Sequence, residues 1–186
     1  MPDETVLEAA LTLIHERGPE ALTFENLARA SGLAGSTLVQ RFGSKAALKQ
    51  AALLHAWDGL DARTAALAVT VPRSPAGAIQ LLVGLSDYGE VEAYAEGLLV
   101  LREDLRDPQL RARGARWKAE LAGALDACFA TTPHAPADIG LLMAAQWQGS
   151  LLWWSFDPQG DVAEHVQRGL VRFVAVLLAS GPTPLP

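Results

Sequence analysis

Residues 23–45 read TFENLARASGLAGSTLVQRFGSK, and the spacing of glycines, hydroxyls and apolar side chains in this stretch decides the fold. Thr23 is placed to cap a helix, and Glu25 follows in the first turn, where the helix dipole favours an anion. Phe24, Leu27, Ala28 and Ser31 share one face of that helix, and Gly32 ends it. A short helix over Gly35–Phe42 comes next. Ser44 then caps a further one that continues through Leu48, Ala52 and Trp57 toward Val69. Two short helices joined by a three- or four-residue turn containing glycine make a helix-turn-helix, whose second helix enters the DNA major groove. The close crossing requires a small residue at the contact and a turn residue tolerant of left-handed dihedrals. Ala28 and Gly32 meet the two demands. Leu27, Leu33, Leu38 and Phe42 form the expected core under the motif, which leaves Gly35, Ser36, Thr37, Gln40 and Arg41 facing outward.

Working outward, a first helix is expected over Asp3–Arg17, with Val6, Ala10, Leu13 and Ile14 on one face and Gly18-Pro19 as its stop. Val71–Pro75 is a break with two prolines. Beyond it, helices are expected near 76–88, 90–105, 108–130, 136–156 and 161–180, punctuated by Asp107-Pro108, Thr132-Pro133 and Asp157-Pro158. No alternating apolar and polar run suggests a strand, so the fold class is all-α with about nine helices. The expected division is a three-helix helix-turn-helix domain over residues 1–50 and a helical domain over residues 51–186.

Composition narrows the function classes. Half of the 186 residues are apolar and the mean hydropathy is +0.16, ample to bury a core. A single cysteine excludes a disulfide scaffold and fits a reducing cytoplasm. The most apolar run, Leu170–Ala179, is far shorter than a membrane span and contains Arg172, so no membrane partner is expected. The chain opens with Asp3 and Glu4, without the basic start of a secretory signal, and a cytoplasmic location is expected. The net charge of −6 argues globally against nucleic acid. Its distribution argues otherwise. Asn26–Trp57 carries Arg29, Arg41, Lys45 and Lys49 with no acid, leaving 11 cations against 21 acids elsewhere, a net of −10. Lys45 is the most telling of the four, because a cation in a first helical turn opposes the dipole by roughly 0.3–1 kcal/mol unless an anion lies there. A DNA phosphate would be such an anion, Thr23 can touch another, Gln40 suits adenine, and Arg41 suits guanine or phosphate.

From Leu7 to Leu54 the sequence resembles the DNA-binding region of the tetracycline-repressor (TetR) family. The features that carry the likeness are Glu16-Arg17-Gly18, Thr23, Leu27-Ala28, Ser31-Gly32-Leu33, Thr37-Leu38, Phe42, Ser44-Lys45 and Leu48. The resemblance implies a homodimer with an N-terminal reader of double-stranded DNA and a divergent helical remainder that binds a small molecule, commonly to release DNA. Thr23, Gly35, Ser36, Thr37, Gln40, Arg41 and Lys45 are the expected DNA contacts. The chain departs from the family pattern at Val39, where a tyrosine is usual, and at Ala34 and Gly35, where polar or basic residues are usual.

In the remainder, Trp147, Leu151 and Trp154 share one face of a helix that is apolar nearly all round, and Val162, Val166, Leu170, Phe173, Val174, Leu177 and Leu178 do the same for the last helix. Such helices need cover on two sides. Leu151, Trp154, Val166, Leu170, Phe173 and Leu177 are therefore expected in a four-helix dimer interface. Tyr88, Tyr94, Trp117, Cys128, His134, Met143 and Trp147 are expected to line a ligand cavity. One thiol and one scattered imidazole do not make a metal site, and no cofactor is expected. No G-x-S-x-G, phosphate loop, H-E-x-x-H or paired Glu-x-x-His is present, so catalysis is not expected. Two functions fit: a ligand-responsive transcriptional regulator, and a dimeric binder of small molecules or partners that keeps the helix-turn-helix as scaffold.

Overall fold

The computed structural model describes residues 1–86 and 91–179, with the side chain of residue 93 left aside. Among the described residues there are nine α-helices and no strand: α1 (Asp3–Arg17), α2 (Phe24–Ser31), α3 (Gly35–Phe42), α4 (Lys45–Thr70), α5 (Pro75–Gly84), α6 (Val91–Arg106), α7 (Pro108–Phe129), α8 (Ile139–Phe156) and α9 (Val162–Ala179), with a single 3-10 turn at Pro19–Ala21. The expected all-helical architecture is what folds. The chain divides into two compact units, Met1–Leu60 with Glu92–Ala115, and Asp61–Val91 with Arg116–Pro186.

The first unit is built on the faces expected of α1 to α3. Val6, Ala10, Leu13 and Ile14 of α1 are buried together with Leu22, Leu27, Leu38, Leu48, Leu53 and Leu110. Phe24, Ala28, Leu33 and Phe42 pack against that cluster at its margin.

In the second unit α9 packs on α8 and α5. Val162, Val166, Leu170 and Val174, four residues apart, make the buried stripe of α9. On α8 the buried face is Met143, Ala144, Trp147, Ser150, Leu151 and Trp154. Two glycines permit close backbone approaches. A Cβ on Gly77 would lie 1.8 Å from the Pro72 carbonyl oxygen, and one on Gly140 would lie 2.1 Å from that of Ala122. Ser74, inside the expected break, caps α5 by accepting the Gly77 amide at 3.3 Å.

Two helix limits differ from expectation. α5 ends at Gly84 instead of near 88: the Leu85 amide is shared between the Leu81 and Leu82 carbonyls, the Ser86 amide bonds the Val83 carbonyl at 2.9 Å in a tightened last turn, and the Ser86 hydroxyl donates to the Leu82 carbonyl at 2.7 Å. α8 starts at Ile139 instead of 136, because His134 and Asp138 adopt left-handed φ of 61° and 57° in the preceding loop. His and Asp tolerate that conformation better than most residues, and a helix cannot run through it. No helix among the described residues is long and apolar enough to cross a membrane.

Candidate nucleic-acid interface

The motif is assembled by local chemistry. Thr23 has extended backbone, and its hydroxyl accepts the Asn26 amide at 3.1 Å, closing the first turn of α2. Asn26 in turn donates from its side chain to the Ala21 carbonyl at 2.8 Å, tying α2 to the turn before it. Gly32 sits at φ 71°, ψ 8°, the left-handed conformation that ends α2 and aims the chain into α3. Ala34 precedes α3 without supplying a side-chain cap, so the amides of the first turn gain no hydroxyl or carboxylate partner from that position. Ser44 caps α4 by accepting the Ala47 amide at 3.1 Å.

On α3, Leu38 is wholly buried, Ser36, Gln40 and Arg41 are exposed, and Gly35 and Thr37 are half-buried. Val39 lies in the middle of the outward face at 46% exposure. The seven residues expected to meet DNA thus belong to the capped turn of α2, to α3 and to the first turn of α4. Thr23 is committed to its cap, and five of the other six sit on one eight-residue helix.

The charges of this region are arranged in a way that the linear pattern does not reveal. Each of the four cations in the acid-free window is paired with a carboxylate from outside it. Arg29 meets Glu25 at 3.1 Å, Arg41 meets Asp3 at 3.2 Å, and Lys45 meets Glu20 at 3.2 Å. Lys49 pairs with Glu103 of α6. The expected cationic surface is therefore neutralised in the folded chain, and the anion that Lys45 requires is supplied by Glu20.

Next to Lys49 lies a denser network. Gln50 donates to Asp107 at 2.7 Å and the Trp57 indole donates to Asp104 at 3.2 Å. The Lys49 ammonium, by hydrogen bonding, holds the Glu103 carboxyl below its ordinary range. The Gln50 amide and the Leu110 backbone amide do the same for Asp107. Burial pushes the Asp104 carboxyl up to about 6. The indole hydrogen bond opposes that rise, and the Asp107 and Glu103 charges add to it. Sequence reasoning missed this cluster, although three acids within five residues, 103, 104 and 107, were a signal that could have marked it.

The residues expected around a ligand are only partly brought together. Trp117 and Trp147 lie with ring centroids 6.4 Å apart at 55°, and Met143 is buried one turn from Trp147 on α8. The Trp147 indole donates to the Ser86 hydroxyl at 2.8 Å and the Trp117 indole to the Thr64 hydroxyl at 3.0 Å. Cys128 is buried in the same unit, its thiol directed at the Ala124 and Pro72 carbonyls; burial pushes that thiol up, against the Ser74 amide and the Arg73 charge. Two other positions fall elsewhere, and a third is not described. His134 is an exposed loop residue holding a left-handed turn, Tyr94 is buried in the first unit, and Tyr88 lies outside the described residues.

The helix faces expected at a dimer interface are divided by the chain's own packing. Leu151, Trp154, Val166 and Leu170 are buried by the chain's own atoms, while Phe173 and Leu177 are half-buried. The large apolar side chains left outside on these helices are others: Leu141, Leu142, Leu152, Trp153 and Phe156 on α8, and Val171 and Val176 on α9. Trp153 and Phe156 are 73% and 75% exposed and stack on one another with centroids 5.9 Å apart. Nearly continuous apolar sequence cannot say which stripe is turned inward. The packing on α5 and between the two helices decides it.

Residues 6–52 match the model for bacterial regulatory proteins of the tetR family. No curated protein matches the chain. Several solved structures share its fold. A transcriptional regulator from Rhodococcus sp. Rha1 is 18% identical over 99% of this chain and 100% of its own, with a TM-score of 0.78. The TetR family transcriptional regulator PfmR from Thermus thermophilus is 21% identical over 96% of this chain and 99% of its own, with a TM-score of 0.63. The multidrug binding protein EbrR, complexed with imidazole, is 18% identical over 100% of this chain and 94% of its own, with a TM-score of 0.64. The helix-turn-helix geometry of α2 and α3 coincides with the stretch, residues 6–52, that matches the tetR-family model, and the chain as a whole shares the helical fold of these structures.

Proposed function

We propose that the chain is a ligand-responsive transcriptional regulator, a repressor that occupies a near-palindromic operator as a homodimer and leaves it when a small molecule binds. The observation that carries this reading is α3: an eight-residue helix set by left-handed Gly32 on a buried Leu38, with Ser36, Gln40 and Arg41 outward. Residues 1–50 are the reader, with Thr23, Gly35, Ser36, Thr37, Gln40, Arg41 and Lys45 at the duplex. Residues 51–186 supply dimerisation and the effector site. The exposed aromatic pair Trp153 and Phe156, with Leu152, Val171 and Val176, supports a partner face on α8 and α9, since apolar area of this kind is unusual on a solitary chain. The effector site is assigned to Trp117, Met143 and Trp147, where aromatic walls are joined by hydroxyl handles. EbrR, which has this fold and is complexed with imidazole and with proflavin in its structures, supports that choice by analogy of fold. Coupling runs through α4, which has residues in both units. No catalytic role and no metal or cofactor is proposed, and the protein is assigned to the cytoplasm.

A second reading, a dimeric binder whose helix-turn-helix does not read DNA, is favoured by exposed Val39 and by the pairing of every cation in the reading window. Titration of the DNA next to the protein's own gene, across a salt series, separates the two. The regulator gives a sequence-dependent complex whose log–log salt slope is several units and falls, by at most about one, in Lys45→Ala. Binding that ignores sequence, or no complex at low salt, favours the second reading.

A further inference from the structure

Three of the four ion pairs around the reading helices are exposed, and two of them hold cations assigned to DNA. Arg41 Nη1 donates both to the Met1 carbonyl at 3.0 Å and to Asp3 Oδ1 at 3.2 Å. Lys45 Nζ donates to Glu20 Oε2 at 3.2 Å and to the Glu20 carbonyl at 3.4 Å. Asp3 and Glu20 are brought in from 38 and 25 residues away, and the Glu20 carboxylate is 84% exposed. Each of these carboxylates therefore occupies, in the free protein, the place beside the cation that a phosphate oxygen would take. We infer that Asp3 and Glu20 are built-in competitors of DNA phosphate, which weaken the hold of the reading surface on every duplex by a common factor and flatten its dependence on salt. The inference rests on the DNA-binding reading above.

The argument is one of exchange. For Lys45 to neutralise a phosphate, its bond to Glu20 must break, and the freed carboxylate is then left close to the polyanion. Breaking an exposed pair is worth up to about a fivefold change in affinity. Salt enters the same exchange. A lysine that docks on DNA releases a condensed cation from the duplex, but the carboxylate it leaves takes a cation from solution, so the net release per contact is smaller than the contact count suggests. Neither acid reads a base, so preference for the operator over random sequence is unaffected. What changes is how much protein bulk DNA captures.

The test uses the full-length protein, its own promoter fragment and a random duplex of equal length. Glu20→Gln and Asp3→Asn should each tighten binding to both duplexes by about two- to fivefold, with the ratio between them unchanged and the salt slope steeper. The decisive comparison is a double-mutant cycle. In a Lys45→Ala background the effect of Glu20→Gln should shrink to the small remainder owed to direct repulsion, and in an Arg41→Ala background so should that of Asp3→Asn. If the acid substitutions act as strongly without their cations, the carboxylates merely repel DNA and the inference is overturned. It is also overturned, with the DNA-binding reading left standing, if wild type binds the promoter and the acid variants are indistinguishable from it. If neither wild type nor any variant shifts a duplex, the DNA-binding reading falls and this inference with it.

Discussion

Among the described residues, the two units bury polar residues of different chemistry. In the second unit the buried polar side chains are the hydroxyls of Thr64, Ser86 and Ser150, and those of Thr64 and Ser86 each receive an indole N–H. In the first unit the buried polar residue is a carboxylic acid, Asp104, set beside the Lys49–Glu103 pair and Asp107. Neutral pairs hold their strength at any pH and salt concentration, whereas charged groups respond to both. The buried hydroxyl–indole pairs of the second unit are thus insulated from the ionic medium, although ion pairs such as Arg116–Asp61 and Arg168–Glu164 lie nearer its surface, whereas the buried acid of the first unit exchanges with that medium. Three substitutions test whether that contrast is real.

The largest effect is expected where the second unit depends on close backbone packing. Gly140 lets α8 approach α7 so closely that its amide donates to the Asp126 carboxylate at 2.7 Å. Gly140→Ala forces a methyl group into the space 2.1 Å from the Ala122 carbonyl oxygen, and backbone cannot step aside as a flexible side chain can. A loss of about 3 kcal/mol is expected. Calorimetry should show it as a melting temperature lower by roughly 6–12 °C, the same at low and high salt. A shift under about 2 °C would mean that the helices separate without penalty and that the second unit is not held by close packing at this crossing.

A smaller effect, still pH-independent, is expected at Ser86. Its hydroxyl accepts from Trp147 and donates to the Leu82 carbonyl, so Ser86→Ala strands a buried indole N–H. The cost is about 1–3 kcal/mol. Trp147→Phe in the Ser86→Ala background should recover part of it, because the stranded donor is then gone. A pH dependence of unfolding in either variant that wild type lacks would contradict the neutral character of the Ser86–Trp147 pair.

These two sites also mark where sequence ceases to be informative. What is local was legible: Thr23 as cap, Gly32 as left-handed stop, the burial of Leu27 and Leu38 and the limits of α1 to α3 all follow from residues within a turn or two of each other. The Gly140 crossing and the Ser86–Trp147 bond depend on chain segments 14 or 61 residues apart, and periodicity carries no such information. The same limit explains the reading surface. A window free of acids looked cationic because its counter-ions lie 4 to 54 residues away in the sequence, at Glu25, Asp3, Glu20 and Glu103. On α8 the composition was read correctly as too apolar for one-sided cover, but which of Leu151 or Trp153 faces inward is a tertiary choice.

The smallest effect, and the one that sharpens the contrast most, belongs to Asp104. Its folded value of about 6 lies above the 3.8 of an ordinary aspartate, so the folded state binds this proton more tightly than the unfolded chain. The stability it contributes is full below about 3.8 and is lost as pH rises through about 6. Glu103 and Asp107 are shifted the other way, and their contribution is lost only as pH falls through the lower range where they protonate. Acidification from about pH 7.5 to 5 should therefore raise the melting temperature of the first unit by a few degrees, and further acidification should reverse the gain. Asp104→Asn keeps a carbonyl oxygen for the Trp57 indole and removes the titration, so its profile should be flat over the upper range and still fall at low pH. The Trp57 fluorescence ought to follow the same midpoint near 6 in wild type and show none in the variant. A rise that persists in Asp104→Asn would place the proton on another group and dissolve the distinction between the titrating buried acid of the first unit and the neutral buried hydroxyls of the second.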